Sequence, residues 1–336
     1  MLLFHSLKKA RTMLKQYQSL PHGIRNRIKV IAVLTVILLI GIGLTHHSLS
    51  AHSAEQASQS ISPAARARNV RQEQKRTRLR LQRYLNQVTA DKTASVYFYN
   101  LGAKSGSPAA KSSSADFYKA GSLHASANAH TPEISASTYK LFMAAFVFHE
   151  EKLGNFTWTA SNVDGFHRMI VNSDNDFSED YLDSWGLPTL NQFIAQQGWY
   201  NPTFIAGQNS QTTAASLAGA LYDLQTGRGA FSNAKDRKLL LNLMHQQIYR
   251  TGIPTGVQNA KSGTQVRDKV GFYADTNNDA GIVTLPNGQQ YILVVMTHGH
   301  QQSGFSGFPR IATIAEHVQR LVYGSSTTKR INALYR

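Results

Sequence analysis

Apolar positions divide the chain into parts with different periods. From Val30 to Leu44 the sequence VIAVLTVILLIGIGL carries no charge, and with Ile28 and a snorkelling Lys29 it is just long enough to cross a thin bilayer. A buried core helix of that length would keep some polar stripe, which this run lacks. Residues 28–45 are therefore expected to form a transmembrane signal anchor. His47 to Ala65, rich in Ser, Ala and Gln and holding Pro63, has the composition of a flexible tether. Arg66 to Val88 reads as a basic helix whose partial apolar face of Leu79, Leu81, Leu85 and Val88 docks on the following domain at its C-terminal end.

Beyond it, Ser95–Asn100 (SVYFYN) is a β-branched and aromatic strand, and His124–Ser135 is its expected partner, with a Ser/Ala/Gly insertion at Lys104–Ser114 between them. Helical periods follow at Ser137–Glu151, near Gly165–Asn172, and at Ser178–Trp185, Leu187–Gln197, Thr212–Leu224 and Asn233–Ile248. Strand patterns return at Asp268–Tyr273, Asp279–Leu285 and Gln290–Thr297, the last two joined by the tight-turn sequence Pro286-Asn287-Gly288. A last amphipathic helix covers Ile311–Tyr323. Strands at both ends enclosing helices predict an α+β fold: an antiparallel sheet flanked by terminal helices, with a helical subdomain and a single transmembrane helix in front. The expected organisation is a basic cytoplasmic tail (1–27), the anchor (28–45), a polar and basic linker (46–75), one globular domain (76–324) and a short tail (325–336).

Charge sharpens the topology. Of 336 residues 35 are Lys or Arg and 19 are Asp or Glu, a formal net charge of +16. The basic residues concentrate outside the domain, at Lys8, Lys9, Arg11, Lys15, Arg25, Arg27 and Lys29 and again from Arg66 to Arg83. The positive-inside rule then places the N-terminus in the cytoplasm and the domain outside the cell membrane, which leaves no nucleic-acid partner expected. The second basic cluster is either a solvated helix face or an attachment to anionic lipid heads or wall polymers, worth about 1 kcal/mol per side chain near a charged surface. Ala51-His52-Ser53-Ala54 has the small-residue alternation of a cleavage site, but the long polar stretch ahead of the apolar run favours an uncleaved anchor. The chain has no cysteine, which excludes disulfides, thiolate metal sites and a cysteine nucleophile.

Three short motifs carry the chemistry. Ser137-Thr138-Tyr139-Lys140 opens an apolar helix (LFMAAFVF follows), which puts the serine at a helix N-terminus and the lysine one turn along the same face. The helix dipole and a nearby ammonium favour an alkoxide, and a buried lysine can accept the serine proton. Alone, this pattern is more often a helix cap with a surface lysine. Ser173-Asp174-Asn175 follows a short helical segment, however, and Lys269-Val270-Gly271 lies on a strand ahead of a hairpin. With S-x-x-K, S-D-N and K-[T/V]-G in order over two thirds of its length, the chain resembles the class A β-lactamase and penicillin-binding-protein superfamily.

That resemblance implies Ser137 as the acylated nucleophile, Lys140 as its base or proton relay, and Ser173 as the group passing a proton to the leaving group. It implies Asn175 as a ligand of the substrate amide, Lys269 as the support for the field around Ser173, and the N–H groups of Ser137 and Phe272 as the oxyanion hole. Gly271 is expected to keep the strand edge clear for substrate. No metal or organic cofactor is implied.

Departures from the pattern limit the substrate. Gly198–Thr213 (GWYNPTFIAGQNSQTT) has no Asp or Glu where class A β-lactamases keep the glutamate that activates the deacylating water. Val270 replaces the threonine hydroxyl that helps hold a substrate carboxylate, and no arginine follows in GIVTLPNG. The expected function is a membrane-anchored extracytoplasmic serine hydrolase acting on cell-wall peptide or a related amide or ester, with poor β-lactam turnover. The alternatives are a non-catalytic wall-peptide-binding module of the same fold and a true class A β-lactamase. His298, His300 and His317 are read as loop or cap histidines without acidic partners, Glu150 and Glu151 as surface charges, and Asp275 to Asp279 as a polar turn rather than a calcium loop.

Overall fold

The computed structural model describes residues 2–33, 35 and 62–335 of the chain, which fall into two compact units, 1–63 and 64–336. In the first unit, α1 (Leu2–Gln18) is followed by α2 (22–33) across a turn at Pro21. The turn is held by the Arg25 Nε to Leu20 O bond (2.8 Å) and the Tyr17 hydroxyl on Arg25 O (3.3 Å). Most of the apolar run expected as an anchor lies outside the described residues. Among the described residues no helix is long and apolar enough to cross a membrane.

The second unit opens with α3 (Pro63–Val88) and the strand β1 (Ala94–Ala103). Next come β2 (His124–Ala127), β3 (Glu133–Ile134), a 3-10 turn (Ala136–Tyr139) and α4 (Lys140–Leu153). The helices α5 (Ala160–Val171), α6 (Asp176–Trp185) and α7 (Leu187–Gln196) lead to β4 (Gln211–Thr212), α8 (Ala214–Thr226), α9 (Ala234–His245) and α10 (Ile253–Ala260). Strands β5 (Gln265–Tyr273), β6 (Thr276–Thr284) and β7 (Gln289–Thr297) precede α11 (Phe308–Tyr323) and α12 (Ser325–Ala333). The sheet runs β2-β1-β7-β6-β5 with every pair antiparallel.

Alternation along β7 shows why this sheet reads as continuous apolar sequence. Ile292, Val294 and Met296 enter the core shared with the helical block, whereas Tyr291, Leu293 and Val295 enter the core under the terminal helices. Both faces are covered, so both sets of alternate residues are apolar. In the helical block, α4 is buried from Lys140 through Phe148, which explains an apolar run with no polar stripe.

Several sequence expectations change. The linker expected over 46–75 gives way at Pro63 to a helix that buries Val70 and Glu73 as well as Leu81 and Leu85, while Leu79 is 50% exposed. The basic helix thus packs along its length. The expected tail at 325–336 contains α12, whose Ile331 is buried and whose Arg330 bonds Glu73 (3.1 Å). Only His124–Ala127 pairs with β1; Glu133–Ile134 turns away and pairs with β4. The expected turn at 275–279 shrinks to Ala274–Asp275, because Asn277, Asn278 and Asp279 are strand residues buried among polar partners. Glu150 is buried and accepts from Asn155 Nδ2 (2.8 Å). His298 and His300 do have acidic partners, Glu133 at 3.4 Å and Asp91 at 2.6 Å, supplied by distant parts of the chain, and His317 stacks on Tyr84. Helix α10 is a further element with no counterpart among the predicted ones.

Helices α10 and α11 approach so closely that a Cβ on Gly256 would lie 2.0 Å from Ala312 O. Gly256→Ala forces the backbones apart at a typical overpacking cost of about 1–3 kcal/mol. At this size that lowers the melting temperature by about 2–4 °C per kcal/mol. A thermal melt checks it, and an unchanged midpoint would contradict the close approach.

Candidate active site

The loop into α4 is held from three sides before any reactive group is placed. Ser135 N donates to Ser210 O (2.8 Å) and the two hydroxyls meet at 2.6 Å. Thr138 Oγ1 donates to Ser135 O (2.6 Å), tightening the 3-10 turn. From β6, the fully buried Asn278 donates to Ile134 O (2.8 Å) and Ser135 O (3.1 Å). Ala136 is forced into the left-handed region at φ 42°, a conformation costly for a residue with a Cβ and one that persists only where surroundings dictate it. Ser137 follows, on the 3-10 turn rather than in the α-helix proper.

Lys140, one turn on, is completely buried. Its Nζ donates to Ser137 Oγ (3.2 Å), Ser173 O (2.7 Å) and Asn175 Oδ1 (2.6 Å). Burial pushes its pKa down to about 8, against the opposing pull of the Asp174 and Glu179 carboxylates. Ser173 sits between α5 and α6 at φ 61°, left-handed like Ala136 although it is not glycine. This conformation accompanies a split of its two ends, the carbonyl on Lys140 and the hydroxyl accepting from Lys269 Nζ (2.7 Å).

Lys269, on β5, is also completely buried and further bonds Val270 O (2.9 Å). Burial lowers its pKa well below the ordinary value, with the charge of Lys140 adding to the effect and Asp268 and Asp279 opposing it. Behind it lies an acidic pair. Burial raises Asp268 to about 6 although Arg250 holds it by a short ion pair, and burial with the like charge of Asp268 raises Asp279 well above the carboxylate range. Asp279 accepts from Ile253 N (2.8 Å), which ties α10 to the site.

Ser137, Lys140, Ser173, Asn175 and Lys269 are thus brought into one hydrogen-bonded chain. Asn175 is exposed at the start of α6, its oxygen committed to Lys140. Gly271 has a different reason from the one expected: its Cβ would strike Ser135 O at 2.8 Å and the N–H groups of Ser137 and Thr138 at 2.9 Å. The missing side chain lets β5 lie against the nucleophile turn. Phe272 is half-buried in an aromatic cluster with Phe305 (4.4 Å) and Tyr249 (5.3 Å). Val270 is fully buried in the core under the terminal helices.

Residues that sequence reasoning passed over are Asn278, Ser210, Arg250, Asp268 and Asp279. Only Asp268, beside the lysine of the third motif, carried a local signal. The others meet the site through register and long-range contacts. The loop 198–213 adds Phe204, packed edge-on against Tyr139 (5.3 Å), and no carboxylate. Chemically, a lysine that titrates near neutrality beside a serine hydroxyl can take its proton, and a second buried lysine can hold the other serine in place to relay one.

Residues 77–324 match the beta-lactamase enzyme family, and the chain belongs to it. It is a serine hydrolase of the β-lactamase and penicillin-binding-protein type, working through an acyl-enzyme. Among solved structures it is similar to PBP-A at 20% identity, with a TM-score of 0.57 over 74% of this chain and 96% of that one. A mutant of PBP-A captured as an acyl-enzyme with penicillin G superposes similarly (TM-score 0.58, 22% identity, 74% of this chain and 97% of that one). A class A β-lactamase from Bacteroides cellulosilyticus aligns at 15% identity and a TM-score of 0.55, covering 75% and 99% of the two chains. No curated protein matches at the sequence level.

The geometry sets the titration of Lys140. Its folded pKa lies below the ordinary lysine value, so the ammonium should lose its proton through about pH 8. Asp174→Asn removes a carboxylate that favours the charged form and should move the inflection lower. Carbon-13 NMR of the lysine Cε against pH checks both, and an inflection near the ordinary lysine value would contradict the buried network.

Proposed function

We propose that this chain is a membrane-anchored extracytoplasmic serine hydrolase that acylates Ser137 with a cell-wall peptide or a related amide or ester and deacylates β-lactams slowly. One observation carries the reading: Ser137 Oγ lies 3.2 Å from a buried lysine that titrates near 8, and the same lysine shares Ser173 with Lys269. Lys140 takes the Ser137 proton as Oγ attacks the carbonyl carbon. The N–H groups of Ser137 and Phe272 receive the oxyanion, each typically worth a few kcal/mol. Ser173, poised on Lys269, returns the proton to the leaving group, and Asn175 meets the substrate amide.

Two features support slow β-lactam release. The loop 198–213 offers Phe204 rather than an acid, so no carboxylate of that loop activates water. Val270 is buried, and β6 (TNNDAGIVT) supplies no arginine, so a substrate carboxylate lacks its usual holders. An internal amide or ester suits such a cleft better than a free C-terminal carboxylate. The same absence of a loop acid supports the second reading, a wall-peptide-binding module without turnover.

Attachment rests on the charge-free run 30–44 and on the exposed Arg68, Arg71, Lys75, Arg76 and Arg83 of α3, which suit anionic lipid heads or wall polymers. Deleting residues 28–45 should move the protein from the membrane to the soluble fraction. Protease added to intact cells should reach the wild-type domain; a domain protected until lysis would reverse the topology.

A fluorescent penicillin or a fluorophosphonate should label the full-length chain, and Ser137→Ala should abolish the adduct. The labelling rate should rise about tenfold per pH unit below about pH 8 and level off above it, because only neutral Lys140 accepts the proton. Absence of any Ser137-dependent adduct would favour the binding module, and nitrocefin clearance at the rate of a true β-lactamase would establish the third reading.

A further inference from the structure

A cavity of about 520 Å³ opens beside the face of the sheet that carries the helical block, and it shares no residue with the catalytic chain. Its walls come from β1, α8 and the segment after α7. On β1, Tyr97 and Tyr99 pair with Val294 and Ile292 of β7 and so point to the helical side, yet they remain only half-buried. Tyr222 of α8 stands edge-on to Tyr99 (ring centroids 5.5 Å, 84°), and Trp199 forms the floor, stacked beneath on Phe142.

Between these rings the cavity presents hydrogen-bonding groups, with no lysine or arginine in its lining. Asp223, Gln197 and His130 reach it, and Asp223 is held by the Trp199 indole N–H. Arg228 lies over the Tyr222 ring at 5.0 Å rather than in the lining. A phosphate or carboxylate ligand would therefore meet the Asp223 carboxylate, with the Arg228 guanidinium already drawn to that carboxylate and to the Tyr222 ring. An acyl chain would cut Gln197 and the free side of the Asp223 carboxylate off from water, which is costly for polar groups left without further partners. An uncharged ring with apolar faces and peripheral hydroxyls satisfies both halves of the lining.

Gly219 argues that the space is needed. It sits inside α8, where glycine is less stable than alanine by roughly 0.5–1 kcal/mol. No backbone approach demands it: a Cβ would meet only the Trp199 ring, at 3.6 and 3.7 Å, an ordinary contact. What the absent side chain leaves is cavity. The volume lies within the ~300–1,000 Å³ usual for small-ligand sites.

We propose that this cavity is a binding site for a pyranose ring of a glycan strand, stacked on the tyrosines of β1 and α8 and hydrogen-bonded to Asp223 and Gln197. The cavity and the nucleophile share one stretch of chain: Ala215 N at the cavity donates to Ala129 O (2.8 Å), and a few residues on β3 pairs with β4 and leads into Ser135. A polymer carrying both sugars and peptides could so be held by its sugar while the peptide reaches Ser137. The sugar site itself does not depend on chemistry at Ser137.

Chitotriose is a suitable probe, titrated against the full-length chain by tryptophan fluorescence and saturation-transfer NMR. Saturable binding is expected. Gly219→Leu, which fills the cavity, and Asp223→Ala, which removes the acceptor, should each weaken it by about tenfold or more. Both should keep wild-type fluorophosphonate labelling of Ser137, while Ser137→Ala should bind chitotriose normally, so that failure of the sugar site and failure of the hydrolase reading are separately visible. No saturable binding, or binding that both variants retain within about twofold, overturns the proposal. Gly219→Ala and its thermal melt guard against a folding defect in the leucine variant.

Discussion

Two completely buried lysines share one serine, and much of the second unit answers to that constraint. Removing an ammonium from water costs several kcal/mol unless it is paired and fully hydrogen-bonded, and two in one network also repel. Lys140 is accommodated by three acceptors and by a pKa near 8, so that part of the population carries no charge at all. Lys269 is accommodated by Ser173 Oγ, by Val270 O and by the acidic pair behind it. Remove the carboxylates and the second lysine keeps only neutral acceptors; remove that lysine and the acidic pair keeps only Arg250 and the Ile253 N–H to offset its burial. This mutual dependence links α4, α5, α6, β5 and β6 around one cleft.

The same constraint accounts for strain at the two left-handed positions. Ala136 and Ser173 are not glycine, and neither conformation is favourable for a residue with a Cβ. Ser173 must direct its carbonyl to one lysine and its hydroxyl to the other, and Ala136 must turn the chain so that Ser137 faces Lys140 while Gly271 packs behind it at backbone distance. Strain at these points is sustained by the ladder of β3 on β4, the Ser135–Ser210 pair and Asn278. Scaffold and site are therefore the same set of bonds.

Much of this was legible in the chain. The three motifs named all five residues of the hydrogen-bonded chain, and periodicity found the strands of the hairpin and most of the helices. What escaped was decided by partners distant in sequence. Asn277 to Asp279 look like a turn locally, and only the approach of the 134–135 backbone, the 304–307 loop and Ile253 N makes them a buried strand. The first half of α3 looks like a linker because its burying contacts, among them Gln74 Nε2 with Phe117 O (3.0 Å) and Glu73 with Arg330, join residues 43 and 257 positions apart. Gly271 is expected to clear the strand edge for substrate, whereas the contact it spares is with the backbone of Ser135, Ser137 and Thr138, since sequence cannot say which neighbour a missing Cβ would have touched.

Acylation and deacylation place separate demands on a cleft, and under the proposed function this one would satisfy them unequally. Forming the acyl-enzyme needs a base within reach of Ser137, a proton path to the leaving group and donors for the oxyanion, and in the proposed mechanism the buried lysine network would provide the first two. Releasing it needs a water held on the opposite side by a base of its own. The loop 198–213 meets Tyr139 with the phenyl ring of Phe204. A base lost from a loop costs the fold little, because loop side chains carry few of the bonds that hold the core. A lysine lost from the network leaves buried acceptors such as Ser173 O or Val270 O without that donor. Selection on stability alone would then retain the acylating half of the site, so persistence of the Ser-Lys-Ser-Lys set by itself says less about turnover than the identity of one loop residue does.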